Sequence, residues 1–246
     1  MRSARAVWLG RRRYEPIHAL QKRLVEARQN KRIGDVILLL EHEHVITLGR
    51  AAEPENVLHT PEVLAARGVD LVETGRGGDV TYHGPGQLVC YPIVDLRPDH
   101  CDVRRYVRGL AEVMILIARA HDVEAGVVEG LIGAWVDRVA PAEWGGEAFA
   151  RELAKVGAIG VRISRWITMH GFALNLAVDL EAFGLIVPCG IKDYAVTSVH
   201  ALTGRRPEVR QAAFAARAAL AEGLDLEVSA VEDLAGVDDL DAALIG

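Results

Sequence analysis

The sequence predicts a mixed α/β fold (α+β), in which a mixed β-sheet is flanked by helices. Helix-like and strand-like stretches come in the order helix, strands, helix, strands, helix. This order lacks the regular alternation of a doubly wound parallel sheet, so strands of both directions are expected. No repeat, low-complexity tract or linker interrupts the 246 residues. We therefore expect a single domain over residues 1–246.

Three helices are predicted from apolar residues that recur every three or four positions. The first follows Pro16 and ends at Gly34, and the second runs from Val107 to Ala118. The third starts at Pro207, because proline is favoured in the first turn of a helix. Each of these segments has one apolar side, which would pack against a sheet.

Strands are predicted from short apolar, β-branched runs that are bounded by turn residues. Glycines interrupt two of these runs, which indicates bulges or places where another group approaches the backbone closely. The runs are Val36 to Leu40, Leu88 to Val94, Ile159 to Ile163 and Thr168 to Val178.

The composition excludes several classes of protein. Half of the residues are apolar and the net charge is −6, which argues against a disordered chain and against general nucleic-acid binding. Three cysteines are too few for a disulfide scaffold, and no apolar run is long enough to span a membrane. We therefore expect a cytoplasmic protein. The acidic stretch from Glu222 to Asp241 is expected to be solvated surface.

The stretch from Arg76 to Gln87 is unusually rich in glycine and in polar side chains. It has neither the Gly-Lys-Ser/Thr of a Walker loop nor the dinucleotide-binding fingerprint. The stretch is either a tight connection between two strands or a loop whose backbone lies against a ligand.

Cys189 lies between Pro188 and Gly190, on a predicted turn that would present its sulfur atom to a substrate. Neighbouring backbone N–H groups on such a turn can stabilise an oxyanion. The alternative is a small buried hydrophobic residue. Cys90 and Cys101 have no comparable setting, and we expect both to be structural.

Lys155 opens an apolar, glycine-punctuated strand in a chain that has only four lysines. It is either an ordinary lysine at a strand end or an amine that activates a thiol. The second role is chemically reasonable because desolvation lowers the pKa of a lysine, while a nearby cation lowers the pKa of a thiol.

Three histidines and one asparagine remain open to more than one interpretation. Glu41-His42-Glu43-His44 suggests a metal site, but two histidines without a third placed ligand are weak evidence, and we expect no metal. His170 and Asn175 either line a pocket or satisfy backbone groups.

Taken together, these stretches resemble the lipoyl(octanoyl) transferases of lipoate biosynthesis, over residues 5–215. The segments that carry the resemblance occur in the family's order. They are Arg76 to Gln87, Lys155 to Gly160, Arg162 to Trp166 with His170 to Asn175, and Pro188-Cys189-Gly190, supported by Glu41-His42 and Thr47 to Arg50. The resemblance implies the fold shared by biotin and lipoate protein ligases.

The resemblance also implies a function, which is transfer of an octanoyl group from octanoyl-acyl carrier protein to a lysine of a lipoyl domain. The acceptors would be lipoyl domains of the 2-oxoacid dehydrogenase and glycine cleavage complexes. Cys189 would carry the acyl thioester and Lys155 would activate it, with no cofactor. The implied substrate-binding residues are Arg76, Gly77, Gly78, Asp79, Val80, Thr81, Tyr82, His83, Ala158, Ile159, Gly160, Gly171, Phe172 and Ala173.

Two departures from the family and two other functions accompany this interpretation. The stretch around Trp144 is longer than the family's usual turn and is expected to protrude as a loop, and the acidic segment 222–246 is unmatched.

The glycines at positions 77, 78, 160 and 171 would make room for the acyl chain, and Arg104, Arg105 and Arg108 or the N-terminal arginines would dock the acidic carrier protein. The alternatives are an ATP-dependent lipoate or biotin-type ligase and a non-catalytic acyl-protein binding module.

Overall fold

A computed structural model describes residues 2–187 and 194–246, whose strands form two sheets. In chain order the strands are β1 (Arg2–Arg12), β2 (Asp35–His42), β3 (Val45–Leu48), β4 (Asp70–Glu73), β5 (Val80–His83), β6 (Gln87–Ile93), β7 (Gly126–Val128), β8 (Leu131–Asp137), β9 (Leu153–Ser164), β10 (Ile167–Asn175), β11 (Ala195–Val196), β12 (Leu226–Glu227) and β13 (Val231–Asp233).

Helices occupy both faces of the larger sheet. They are α1 (Tyr14–Gln29), α2 (Pro61–Ala66), α3 (Val103–Arg119), α4 (Val199–Thr203), α5 (Val209–Ala215), α6 (Arg217–Leu224) and α7 (Leu240–Leu244), with short 3-10 helices at Pro54–Asn56, Glu147–Phe149 and Leu180–Leu185. None of the described helices combines the length and apolar character that a bilayer crossing requires.

The larger sheet has the strand order β12-β1-β2-β6-β10-β9-β8-β7, with β13 paired to β1 and β11 paired to β9. Strand β1 is parallel to β2, whereas β2, β6, β10, β9, β8 and β7 are joined by antiparallel pairing. A smaller sheet has the order β4-β3-β5. The predicted mixed sheet with flanking helices is therefore confirmed.

Strand β2 explains why the sequence shows a continuous apolar run rather than an alternating one. Val36, Leu38 and Leu40 face the core under α1, while Ile37 and Leu39 face the core under α3. Because helices cover both faces of the sheet, every residue of this run is buried.

Two of the predicted helix boundaries are wrong. The first helix ends at Gln29 rather than at Gly34, and Asn30 caps it through its backbone N–H. The predicted third helix is two helices, α5 and α6, that meet at Ala216. Their apolar sides have different partners, since α5 packs on β1, β2 and β6 whereas α6 packs mainly on α3.

The acidic C-terminal segment folds onto the edge of the sheet and is not simply solvated surface. Its apolar residues Leu226, Val228 and Val231 are buried, and β12 and β13 pair with β1. Its carboxylates form ion pairs with arginines, and Glu232 pairs with the N-terminal Arg5 at 2.8 Å. Asp241 pairs in the same way with Arg23 of α1, while Asp233 pairs with Arg210 of α5. Arg5 and Arg23 therefore form ion pairs within the chain, with carboxylates of its C-terminal segment.

The long connection between β8 and β9 folds back against the protein. The indole of Trp144 lies on Gly126 of β7, where an added Cβ atom would be only 1.9 Å from the indole nitrogen. The Glu147 carboxylate accepts a hydrogen bond from the Glu129 N–H at 2.7 Å. Phe149, in contrast, is 78% exposed. The predicted protruding loop is thus attached at its centre and exposed at one end.

Candidate active site

Lys155 lies near the start of β9, beside Trp135 of β8. The ammonium nitrogen of Lys155 is 4.8 Å from the centre of the Trp135 ring. The indole N–H donates to the Leu131 carbonyl at 3.0 Å, which fixes the orientation of the ring. Tyr194 packs edge-on against the same ring, with a centroid distance of 5.3 Å. The lysine is therefore half-buried over an aromatic face, an arrangement that attracts a cation.

Cys189 lies outside the described residues, but the chain on either side of residues 188–193 is attached to this region. On one side, the Val187 N–H donates to the Asn56 carbonyl at 2.8 Å. On the other side, Val196 pairs with Lys155, and the Thr197 N–H donates to the Lys155 carbonyl at 2.9 Å. Both described ends are thus hydrogen-bonded to elements of the candidate site.

The loop that precedes β5 is held between the two sheets. The buried Arg76 guanidinium donates to the carbonyl and hydroxyl oxygens of Thr47 at 2.6 to 3.2 Å. The Gly77 N–H donates to the Val161 carbonyl of β9 at 2.9 Å. The Asp79 carboxylate accepts from the Asn56 side-chain amide at 2.6 Å. These contacts fix residues 76–79 against β9, the strand that carries Lys155.

A groove runs along β9 past Lys155 and has a volume of about 670 Å³. We call it the outer groove. Its lining is largely apolar, from the β8 hairpin, α3 and β9, including Leu131, Ile132, Val103, Val107, Ile159 and Val161.

A narrower cavity, the inner chamber, continues beneath residues 76–79 and has a volume of about 50 Å³. The two spaces share Gly78, Asp79, Ala158, Ile159 and Gly160. The rest of the chamber is lined by Tyr14, Arg76, Thr81, His83, Tyr91, His170, Gly171, Phe172 and Ala173. The two spaces therefore adjoin between the loop and strands β9 and β10, and we call the line from Lys155 through the outer groove to the chamber the path.

Most of the predicted substrate-binding residues line one of these two spaces, but Val80 and Tyr82 do not. Residues 80–83 form strand β5 rather than a loop, so alternate side chains point to opposite faces. Thr81 and His83 face the chamber. Val80 and Tyr82 face the core of the smaller sheet, where the Tyr82 hydroxyl bonds His44 Nδ1 at 2.6 Å.

Two glycines that were predicted to make room for an acyl chain, Gly160 and Gly171, line the chamber and also lie where backbone segments approach closely. A Cβ atom on Gly171 would lie 2.2 Å from the Cys90 carbonyl oxygen of β6. A Cβ atom on Gly160 would lie 3.1 Å from the Gly77 carbonyl oxygen and from the Arg76 side chain. Glycine is therefore required at position 171 for close strand packing, whereas a side chain at position 160 would need its neighbours to shift by a few tenths of an ångström.

The inner chamber is bordered by a cluster of histidine and tyrosine rings, of which the sequence analysis missed the tyrosines Tyr14 and Tyr91. The Tyr14 ring is 5.0 Å from the His42 ring and 6.4 Å from the His83 ring, and His42 Nε2 bonds the Tyr91 hydroxyl at 2.9 Å. No local pattern marks Tyr14 or Tyr91, because they come from α1 and from the middle of a buried strand. The cluster forms only when these elements pack.

Burial keeps these histidines neutral. It lowers the pKa of His42 to about 4 and the pKa of His83 to about 3. A neutral His83 donates from Nδ1 to the Gln87 side-chain carbonyl at 2.7 Å. The chain continues from Gln87 to Asn175 at 2.9 Å and from Asn175 to the Thr197 carbonyl at 3.0 Å. Hydrogen bonds thus connect the chamber to the strand beside Lys155. Among the described residues, no group of histidine, cysteine and carboxylate side chains is arranged to hold a metal ion.

Comparison with known proteins identifies a family model and structures that share the fold. Residues 13–221 match the family model of the lipoyl protein ligase A/B catalytic domain. The fold is shared with a bi-partite lipoate protein ligase from Thermoplasma acidophilum, with a TM-score of 0.68 and 14% identity, covering 99% of this chain and 91% of that chain. A lipoate-protein ligase A bound with ATP gives a TM-score of 0.66 at 13% identity, covering 99% and 92%.

Curated relatives are much more similar in sequence. An octanoyltransferase from Chloroflexus aggregans is 44% identical over 227 residues, which cover 92% of this chain and 97% of the relative. One from Acidobacterium capsulatum is 50% identical over 198 residues, covering 78% and 77%. One from Myxococcus xanthus is 48% identical over 80% of this chain, which spans about half (53%) of that relative's length.

The fold and the matched family model define a protein of the lipoyl protein ligase A/B catalytic-domain class. Within that class, the chain belongs to the octanoyltransferases, and it is an acyltransferase.

Proposed function

We propose that this enzyme moves an octanoyl group from octanoyl-acyl carrier protein to a lysine of a lipoyl domain, through a thioester on Cys189. The observation that carries the proposal is the position of Lys155 in a largely apolar groove, next to the strand that follows the Cys189 segment. Cys189 comes two residues after Val187, a reach of at most about 7 Å between Cα atoms. Val187 is hydrogen-bonded to Asn56, which lines the same groove.

In the first step, the Lys155 amine takes the proton from the Cys189 thiol, and the thiolate attacks the carbonyl carbon of the octanoyl thioester. The bond between this carbon and the carrier's sulfur then breaks. The carrier leaves as a thiol with the proton that Lys155 returns. One thioester replaces another, so this exchange is close to thermoneutral and the enzyme has only to lower the barrier.

In the second step, the amine of the acceptor lysine attacks the acyl carbon, and the carbon–sulfur bond to Cys189 breaks. Lys155 accepts the proton that the amine loses and passes it to the cysteine sulfur. The products are an amide on the acceptor and the free Cys189 thiol. Forming an amide from a thioester is downhill, so the reaction needs no ATP.

The intact mass of the enzyme after mixing with octanoyl-acyl carrier protein tests the first step. We expect an added octanoyl group that maps to Cys189 and disappears in Cys189→Ala. Cys101→Ala is the matched control, because Cys101 is an exposed thiol and its loss should leave the adduct unchanged. Burial raises the pKa of the Cys90 thiol, so Cys90 should stay unmodified. An adduct that persists in Cys189→Ala would contradict the proposal.

Lys155→Ala tests the role of Lys155 as the base, and a measurement of ATP dependence tests the second step. We expect the adduct to form much more slowly in Lys155→Ala, and equal rates would remove Lys155 from the mechanism. The acyl-enzyme, once isolated, should pass its octanoyl group to a lipoyl domain of a 2-oxoacid dehydrogenase or glycine cleavage complex without ATP. A strict requirement for ATP, together with full turnover in Cys189→Ser, would identify a ligase. Binding of the carrier without any transfer would identify a non-catalytic module.

A further inference from the structure

His170 separates the inner chamber from a second cavity. Along β10, Gly171 and His170 line the chamber, while Met169 and Ile167 line an open groove of about 300 Å³ between α1 and strands β9 and β10. The groove also contains Lys22. The ring of His170 therefore stands at the point where the chamber would otherwise continue toward this groove.

The backbone of His170 adopts an unusual conformation to occupy this position. Its φ angle is +61°, in the left-handed region that residues other than glycine rarely enter. Its N–H donates to the Gln21 side-chain carbonyl of α1 at 3.0 Å. Such conformations persist only where the surroundings enforce them, and they occur often at functional sites.

Polar nitrogen atoms are concentrated behind this ring. The Nε2 atoms of His18, Gln21 and His170 are all buried, and within residues 2–187 and 194–246 none of the three has a hydrogen-bond partner. The rings of His18 and His170 are 5.4 Å apart. Buried polar groups without partners are costly, and apolar atoms placed against them cannot relieve that cost. An apolar chain would therefore be stopped here by both shape and polarity.

His170 is also too far from the reacting groups to exchange protons with them. It pairs with Val161 of β9, six residues beyond Lys155. At about 3.3 Å per residue, the two positions are roughly 20 Å apart along the strand. His170 therefore lies at the end of the path opposite Lys155, where a side chain can limit the length of the chain that the path accommodates.

We infer that His170, backed by His18 and Gln21, is the end wall that limits the length of the acyl chain. The inference rests on the proposed function, since it assigns the inner chamber to the acyl chain. His170 thereby acts as a specificity residue that accepts a chain of medium length and excludes longer ones.

The test is the chain-length profile of His170→Gly, with acyl-acyl carrier proteins of 6, 8, 10, 12 and 14 carbons as substrates. Glycine removes the ring and suits the positive φ angle, so this variant should fold. We expect the ratio of kcat/KM for the dodecanoyl over the octanoyl substrate to rise by about tenfold or more, because the added methylenes gain a buried site. His170→Asn also tolerates the left-handed conformation but keeps a polar side chain, and its ratio should lie between those of wild type and His170→Gly.

His44→Ala is the matched control, because it removes a histidine that bonds Tyr82 in the smaller sheet. Its ratio should equal that of wild type. An unchanged ratio in a His170→Gly protein with a native circular dichroism spectrum would overturn the inference.

A binding measurement distinguishes failure of the wall from failure of the proposed function. Calorimetric titration with octanoate and dodecanoate reports on the chamber without turnover, and His170→Gly should favour dodecanoate relative to wild type. If this shift occurs while no variant transfers acyl groups, His170 limits the length of the bound chain but the proposed function is wrong. If transfer occurs but neither the kcat/KM ratio nor the binding preference shifts, the proposed function is supported and the role of His170 in chain length is wrong.

Discussion

The ammonium nitrogen of Lys155 and the ring of Trp135 are 4.8 Å apart, across two adjacent antiparallel strands. The indole cannot easily turn away, because its N–H is bonded to the Leu131 carbonyl and Tyr194 packs against it. Tyr194 directly follows residues 188–193, so one ring joins the lysine to the end of the segment that contains Cys189. Trp135 is therefore a positioning residue for Lys155 in the proposed reaction.

Trp135→Leu should slow formation of the acyl-enzyme by about 2- to 30-fold, which corresponds to a cation–π contact of about 0.5–2 kcal/mol. Trp135→Phe keeps an aromatic face and should slow formation of the acyl-enzyme less than Trp135→Leu does. The decisive measurement is a double-mutant cycle with Lys155→Ala, read as the rate of adduct formation. If Trp135 acts through Lys155, Trp135→Leu will have little further effect once the lysine is gone. Fully additive losses would show that Trp135 acts by another route.

Gly49→Ala should disturb the loop that covers the chamber. A Cβ atom at this position would lie 2.1 Å from the Gly78 carbonyl oxygen, a contact that only a shift of backbone can relieve. We expect a loss of about 1–3 kcal/mol in the free energy of unfolding in urea, together with slower adduct formation. Gly34→Ala is the control, because nothing lies within 4 Å of the added atom. Equal effects of the two substitutions would contradict this account of the loop.

The fold was predictable from sequence where apolar residues recur locally, as in α1, α3 and β2. Strand β1 was missed because arginines interrupt it, although Ala6 and Trp8 face one core and Val7 and Leu9 the other. Those arginines are tolerated because several have partners elsewhere in the chain, such as Glu232 for Arg5. The acidic C-terminal segment is folded because Leu226, Val228 and Val231 are buried and its two strands pair with β1, which its charge alone did not indicate.

The candidate site was predictable only where its residues share a motif. The glycine-rich loop and the stretch after Lys155 are continuous in sequence, and the structure brings them together along β9. Tyr14, His18 and Gln21 come from a helix whose spacing indicates only an apolar face, so nothing in the sequence connects them with His170. Their association depends on α1 packing over β10, which is a tertiary contact without a local signal.

The buried histidines should make the protein less stable in mild acid. Burial holds the pKa of His83 at about 3, whereas an unfolded histidine takes up a proton near pH 6.5. As the pH falls below about 6.5, the unfolded state therefore binds protons that the folded state does not, and the free energy of unfolding falls by about 1.4 kcal/mol per pH unit for each such group. Above that pH, the full stability is present.

Urea denaturation at pH 7.5 and at pH 5.0 measures this effect. Wild type should lose stability between the two values, and His83→Gln should lose about 2 kcal/mol less, because one of the neutral buried histidines is gone. Glutamine can still donate to the Gln87 carbonyl oxygen, so the hydrogen-bond chain need not break. A drop of the same size in both proteins would mean that His83 is charged in the folded state.

Trp144→Ala should release the long connection between β8 and β9 from the rest of the protein. The indole covers Gly126, and its loss should lower the free energy of unfolding by about 1–3 kcal/mol and speed proteolytic cleavage within residues 138–152. Phe149→Ala, in the same connection but 78% exposed, is the matched control and should change the free energy of unfolding by no more than about 0.5 kcal/mol. Because the β7–β8 hairpin under this connection carries Leu131 and Ile132 of the outer groove, Trp144→Ala should also raise the KM for the acyl donor. Indistinguishable cleavage rates in the two variants would show that Trp144 does not anchor the connection.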